Sequence, residues 1–144
     1  MSAEIWPVTE QFAAEIGDVD LSKPLTDADW RIIEDAYNTY SVLIFPGQQL
    51  AQDQHVEFAR RFGPIDKSMI ADMDADSRVT EDIADVSNLN PKGEVMAPDD
   101  RMLEFQRGNR LWHTDSSFKP TPANASLLYM QEVPPVGGMT EFAD

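Results

Sequence analysis

Apolar positions recur at helical spacing behind a capping signal in the first quarter of the chain. Thr26-Asp27-Ala28-Asp29 resembles a capping box, and acidic residues in a first turn suit the positive end of the helix dipole. The apolar residues that follow at helical spacing are Trp30, Ile33, Ala36, Tyr37 and Tyr40. This pattern predicts a helix, followed by a short buried strand at residues 41–45 and a turn at Pro46-Gly47.

The rest of the chain changes from a helical pattern to a β pattern. A second helix is predicted from near Gln52 to Phe62, ended by Gly63-Pro64. Residues 66–110 are acidic and weakly patterned, which predicts a long excursion with a candidate strand at 84–89 and a turn at 90–93. Further strands are predicted at 125–130 and 140–143, around a turn at 134–138. Helices followed by successive strands favour an α+β or barrel-like architecture.

Composition narrows the class of protein. The 144 residues fit one domain, and 42% hydrophobic residues are enough to bury a core. A net charge of -15 disfavours nucleic acid and anionic membranes as partners, and no apolar run has the length of a membrane span. With no secretory leader and no cysteine, a cytoplasmic protein without zinc-thiolate or iron–sulfur sites is expected.

A short acidic run offers one possible cation site. Asp72, Asp74 and Asp76 provide the first three positions of a calcium loop, but Ser77 occupies the position where such a loop needs glycine. A solvated acidic loop is therefore the preferred interpretation of this run.

One segment carries a specific chemical signal, His113-Thr114-Asp115. In an extended segment, residues i and i+2 point to the same side, so an imidazole and a carboxylate converge on one point. These are two of the three ligands of the 2-His-1-carboxylate facial triad that binds Fe(II) and leaves positions open for a co-substrate. The plain alternative is a strand histidine that hydrogen-bonds a nearby aspartate. Trp112 before the histidine and Ser116-Ser117-Phe118 after the aspartate lengthen the motif and favour the metal.

Ordered motifs along nearly the whole chain resemble the Fe(II)/2-oxoglutarate-dependent dioxygenases that act on taurine and on the herbicide 2,4-dichlorophenoxyacetate. The match is strongest in Asn109-Arg110-Leu111-Trp112-His113-Thr114-Asp115-Ser116-Ser117-Phe118, and the herbicide enzyme looks closer than the taurine enzyme. The other matching segments are residues 16–21, 23–26, 41–48, 58–64 and 133–142.

The resemblance implies a fold, a reaction and a set of site residues. The family fold is a double-stranded β-helix (jelly roll, cupin-like) with flanking helices. His113 and Asp115 match the first two iron ligands, Thr140 matches a threonine that hydrogen-bonds 2-oxoglutarate, and Asn109 matches an asparagine near the substrate. The family uses Fe(II), 2-oxoglutarate and O2 to hydroxylate a small organic acid such as a phenoxyalkanoate or sulfonate, with release of succinate and CO2.

The sequence departs from the family pattern in two respects. A second histidine ligand and a 2-oxoglutarate-binding arginine should follow the His-x-Asp motif, whereas the only other histidine, His55, precedes it in the second predicted helix and is interpreted as a surface residue. The simplest explanation is that residues 1–144 are the N-terminal portion of a single dioxygenase domain, with an incomplete jelly roll. Homo-oligomers are expected at full length.

The substrate and two rival functions stay open. Family lysines expected to hold the herbicide carboxylate have no counterpart in register, since Lys67 and Lys92 are displaced. Arg101, Arg107 and Arg110 are alternative anion anchors, although solvated surface charges are the simpler interpretation. The rival functions are a non-catalytic jelly-roll binding module and a zinc- or manganese-dependent hydrolase on a similar barrel.

The two-ligand motif generates a first prediction. We expect the 144-residue chain alone, purified free of any full-length enzyme, to form no succinate from 2-oxoglutarate, because two protein ligands hold iron weakly. Coupled succinate assays with Fe(II), ascorbate and O2 provide the measurement, and steady succinate production would contradict the prediction.

Overall fold

A computed structural model describes residues 2–66 and 78–143, which divide into two compact units. Unit 1 comprises Met1–His55 and Tyr129–Asp144, and unit 2 comprises Val56–Leu128. Both helices and strands are present, in agreement with the predicted α+β class at this coarse level. Within the two described ranges, no helix combines the length and apolar character needed to cross a bilayer.

Unit 1 is built on a three-stranded mixed sheet in the order β1-β2-β3. β1 (Glu4–Pro7) pairs antiparallel with β2 (Ala13–Gly17), and β2 pairs parallel with β3 (Val42–Ile44). The loop between β1 and β2 is closed by the Thr9 hydroxyl, which accepts hydrogen bonds from the backbone N–H groups of Phe12 and Ala13 at 2.9 Å each. A parallel pair needs a crossover connection, and α1 (Asp27–Tyr37) provides it.

The core of unit 1 lies between the central strand and α1. Ala14 and Ile16 of β2 and Ile33 of α1 are fully buried. On β2, Gly17 is required by close packing, because a Cβ atom there would lie 2.2 Å from the ring of Trp6. Trp6 itself is 46% exposed, so it covers the sheet from outside.

The N-terminus of α1 is capped as the sequence predicts. The Thr26 hydroxyl accepts a hydrogen bond from the Asp29 backbone N–H at 3.1 Å and donates one to Asp29 Oδ2 at 2.6 Å. Asp29 Oδ1 also accepts from the Ala3 backbone N–H at 2.9 Å, which ties the chain ahead of β1 to the helix. The hydrogen bonds from Thr26 and then Ala3 hold the pKa of Asp29 below its usual value.

Unit 2 contains helices joined by irregular segments. α2 (Gln52–Ala59) enters it and tightens into a 3-10 turn at Arg60–Phe62, and Gly63 follows with φ +143°. Phe58 is buried and meets Phe62 edge-on, with 5.5 Å between ring centroids. α3 (Arg101–Gln106) continues into a second 3-10 turn at Arg107–Arg110.

Several predicted elements differ from the structure. The helix predicted to reach Phe62 is α-helical only to Ala59, and Phe58, which was not assigned to its apolar face, is the more deeply buried phenylalanine. The strand predicted at 41–45 shortens to β3 and is only partly buried. The early strands β1 and β2 were missed, because the small residues Ala13 and Ala14 give little signal of burial in a sequence.

Three predicted strands are wrong. The segments 84–89, 125–130 and 140–143 form no strand, and Leu89 alone makes a β-bridge, to Val95. A β-rich segment becomes a strand only when a partner satisfies its backbone groups, and sheet propensity follows context more than residue type. The predicted turn at Asn90–Gly93 is present, since the Gly93 N–H donates a hydrogen bond to the Asn90 carbonyl at 2.8 Å.

Lys67 and the calcium-loop aspartates Asp72, Asp74 and Asp76 lie outside the described residues.

The hydrogen-bonded carboxylate of Asp29 generates a prediction on stability. Because the pKa of Asp29 is lowered in the folded state, its carboxylate stabilises the fold at pH values above the ordinary carboxyl pKa. This stabilisation is lost as the pH falls through the folded-state pKa. We therefore expect Asp29→Asn to lower the melting temperature at neutral pH, and the difference from wild type to shrink below about pH 4. Asp27→Asn removes the same charge from the same helical turn and is the matched control. Equal pH profiles for both variants would show that Asp29 has no special role.

Candidate metal centre

The His-x-Asp motif lies on an exposed segment of unit 2. Residues 111–115 are all exposed, Leu111 has extended backbone angles, residues 112–114 form no regular secondary structure, and the chain turns at residues 115–118. Ser116 adopts a left-handed conformation, with φ 57°, and its carbonyl accepts a hydrogen bond from the Lys119 N–H at 2.9 Å. The motif is therefore not part of a strand, although the side chains of His113 and Asp115 still come together.

The two predicted ligands meet in space. His113 Nε2 lies 3.2 Å from Asp115 Oδ1, and the side chains keep 49% and 58% of their surface exposed. A structure with the two side chains on opposite sides would have removed the basis for a metal site. The observed convergence instead leaves a half-open pair of donor atoms that solvent or a ligand can reach.

A backbone carbonyl orients the imidazole. His113 Nδ1 lies 2.7 Å from the carbonyl oxygen of Leu111. A carbonyl can only accept, so Nδ1 carries the hydrogen, and in the neutral ring Nε2 presents its lone pair to Asp115. Metal-binding histidines commonly donate their second ring nitrogen in this way. The Leu111 N–H in turn donates to the Gly108 carbonyl at 3.0 Å, which ties the segment to the preceding 3-10 turn.

The donor atoms have the spacing that a shared ion requires. Two ligand atoms about 2.1 Å from one ion and at right angles to each other are about 3 Å apart. The observed separation of 3.2 Å is close to this value and equally close to that of an ordinary imidazole–carboxylate ion pair, and imidazole with carboxylate is a donor set that ferrous iron accepts. Within residues 2–66 and 78–143, no group of three or more potential ligands of the His, Cys, Asp and Glu type comes together. In this part of the chain, His113 and Asp115 are therefore a pair of candidate donors.

The other predicted site residues occupy separate places. Asn109 lies in the 3-10 turn Arg107–Arg110, in unit 2 with the two ligands, and is exposed. Thr140 belongs to unit 1 and is exposed in an irregular segment. Arg101, Arg107 and Arg110 are exposed as well, as solvated charges would be.

His55 is not the surface residue that the sequence suggested. It is half-buried in α2, and its ring meets that of Tyr129 with centroids 5.8 Å apart. Burial lowers the pKa of its imidazole. The Tyr129 hydroxyl accepts a hydrogen bond from the Leu50 N–H at 3.1 Å, so the ring contact is part of a packed junction. Tyr129 lies far along the chain from His55, so the helical spacing of residues around His55 could not predict this contact.

The aromatic residue beside the ligands is also exposed. Trp112 is 70% exposed, and Phe118 is 70% exposed on the other side of the motif. The polar residues that hold the turn, Lys119 and Asn124, were not singled out from the sequence, because their partners Asp66 and Phe62 are remote in sequence.

Comparison with known proteins identifies the family. The family model described as "Taurine catabolism dioxygenase TauD, TfdA family" matches residues 4–144. The chain is 41% identical over 145 aligned positions to an alpha-ketoglutarate-dependent 2,4-dichlorophenoxyacetate dioxygenase of Cupriavidus pinatubonensis, covering 100% of this chain and 50% of that protein. It is 36% identical to the (S)-phenoxypropionate/alpha-ketoglutarate-dioxygenase of Sphingobium herbicidovorans, over 98% of this chain and 45% of that protein.

A solved structure agrees with this assignment. The crystal structure of AAD-2 in complex with Mn(II) and N-oxalylglycine superposes with a TM-score of 0.71 at 35% identity, over 85% of this chain and 39% of that one. The protein described here belongs to the TauD/TfdA family. It spans about half the length of the curated relatives it matches.

The orientation of His113 generates a prediction that needs no metal. We expect the neutral His113 ring to be the Nδ1–H tautomer, because the Leu111 carbonyl accepts that hydrogen. Long-range proton–nitrogen correlation spectra distinguish the two tautomers, and His55, the only other histidine, is an internal reference. A His113 ring protonated at Nε2 alone would contradict the geometry.

Proposed function

We propose that this chain supplies the first two metal ligands of an Fe(II)/2-oxoglutarate-dependent dioxygenase that oxidises a small organic acid. The observation that carries the proposal is the 3.2 Å approach of His113 Nε2 to Asp115 Oδ1 within a family match over residues 4–144. When bound, Fe(II) with 2-oxoglutarate and O2 supplies the oxidising chemistry, with succinate and CO2 as co-products.

The part played by the protein is to hold and orient. Leu111 fixes the tautomer of His113 through its carbonyl, and Asp115 contributes a negative charge that favours a divalent cation over a neutral ligand. The half-exposed pair leaves room for a bidentate co-substrate and for O2. The AAD-2 complex supports this picture, since its description combines Mn(II) with N-oxalylglycine, an acid that resembles 2-oxoglutarate in shape and charge.

The remaining residue roles belong to the same proposal. Thr140 would donate a hydrogen bond to a carboxylate of 2-oxoglutarate, and its exposed hydroxyl leaves it available for that contact. Asn109 would contact the substrate, and its position four residues before His113 supports a place beside the metal. Relatives named for 2,4-dichlorophenoxyacetate and (S)-phenoxypropionate favour an aryloxy-alkanoic or related organic acid as substrate.

The native context completes the proposal. The chain would form the N-terminal portion of one double-stranded β-helix (jelly-roll) domain, in which the irregular segments 125–130 and 140–143 gain strand partners. Their exposed apolar residues, among them Leu128, Met130 and Phe142, support such pairing. A cytoplasmic, homo-oligomeric enzyme is the expected form.

The proposal predicts co-substrate-dependent turnover. We expect the native polypeptide that contains these residues, loaded with Fe(II), to form succinate from 2-oxoglutarate when a phenoxyalkanoic acid or an alkyl sulfonate is supplied, and we expect Zn(II) to give none, because zinc has no redox chemistry. Succinate and oxygen consumption are measured together.

Single-ligand variants of that polypeptide test the residue assignments. His113→Ala and Asp115→Ala should each reduce turnover at least a hundredfold, because removing a ligand leaves the metal weakly held. Asp82→Ala, which removes a carboxylate elsewhere in unit 2, is the matched control. Undiminished turnover in both alanine ligand variants would refute the metal site.

A further inference from the structure

The metal-ligand segment has little packing of its own. Residues 111–115 are exposed throughout, and the first half-buried positions after them are Ser116 and Lys119. These two residues also close the turn, through the hydrogen bond from the Lys119 N–H to the Ser116 carbonyl at 2.9 Å. The position of Asp115 therefore depends on what holds this turn.

Two contacts tie the turn and its continuation to the chain after α2. The Lys119 ammonium pairs with the Asp66 carboxylate, with 25% and 47% of the side chains exposed. The Asn124 side chain donates to the carbonyl of Phe62 at 3.3 Å. Phe62 in turn packs edge-on against the buried Phe58, so residues 62–66 form the anchored side of both contacts.

We propose that Lys119, through its ion pair with Asp66, is a positioning residue that fixes the Ser116–Lys119 turn and with it the approach of Asp115 to His113. Because the metal site is itself proposed, the positioning role rests on the proposed function. The left-handed Ser116 makes the role necessary, because a non-glycine residue at φ 57° is held in place only when the surrounding structure enforces it.

The test uses the metal-ion affinity of the 144-residue chain. Mn(II) broadens the NMR signals of nearby protons, so a titration detects even a weak site at the His113 ring. His55 belongs to the other unit and is the internal control for non-specific binding. Thermal unfolding of each variant without metal shows how much of any effect comes from stability.

Two substitutions of opposite charge separate positioning from long-range electrostatics. Lys119→Gln removes a positive charge and Asp66→Asn removes a negative one, so a field effect on Mn(II) would act in opposite directions. We expect both variants to weaken binding at His113 by about threefold to fivefold, the upper part of the range measured for partly exposed ion pairs. The exchanged pair, Lys119→Asp with Asp66→Lys, should recover most of the wild-type affinity.

A second ion pair of unit 2 is the matched control. Arg60 and Asp82 lie 3.2 Å apart, and Asp82→Asn removes one negative charge as Asp66→Asn does, without touching the turn. We expect it to leave the Mn(II) affinity at His113 within about a factor of two. Equal effects of Asp66→Asn and Asp82→Asn, or opposite effects of Lys119→Gln and Asp66→Asn, would overturn the positioning role. If the wild-type chain shows no broadening selective for His113, the proposed metal site fails instead.

Discussion

The candidate metal site depends on two hydrogen-bond acceptors that face each other. The Leu111 carbonyl takes the hydrogen of His113 Nδ1, so the neutral ring presents the Nε2 lone pair to the Asp115 carboxylate at 3.2 Å. Two acceptors at that distance repel unless a proton or a metal ion lies between them. In the proposed site a divalent cation would lie between these two groups, and the carbonyl decides which ring nitrogen faces it.

The two units are stabilised by different kinds of contact. Unit 1 buries Ala14, Ile16 and Ile33 between the sheet and α1, so its backbone is held by apolar packing. The ligand segment of unit 2 leaves Trp112 and Phe118 largely exposed, so polar contacts fix its turn. A segment with little packing leaves its donor atoms open to ligands, and each of its partly exposed polar contacts contributes about 1 kcal/mol or less.

Features that are local in sequence were predictable, and those that need a distant partner were not. Thr26 and Asp29 form the predicted cap because all of its atoms lie within one turn of helix. His113 and Asp115 converge for a similar reason, since they are only two residues apart in the chain. The segments 125–130 and 140–143 have β-rich sequences but no strand partner in the described part of the chain, and the contact of His55 with Tyr129 joins residues that no periodic pattern connects.

Because the chain is strongly acidic, selectivity for one metal ion has to come from the arrangement of the donor atoms. A net charge of -15 raises the local concentration of any divalent cation, so electrostatic attraction alone gives many weak and interchangeable sites. What distinguishes His113 and Asp115 from the other acidic positions is a nitrogen donor held at the spacing of one coordination sphere. An imidazole prefers a transition metal to the hard cations that carboxylates attract. In the proposed site, the preference for a transition metal would therefore depend on the orientation of the His113 ring, which the Leu111 carbonyl fixes.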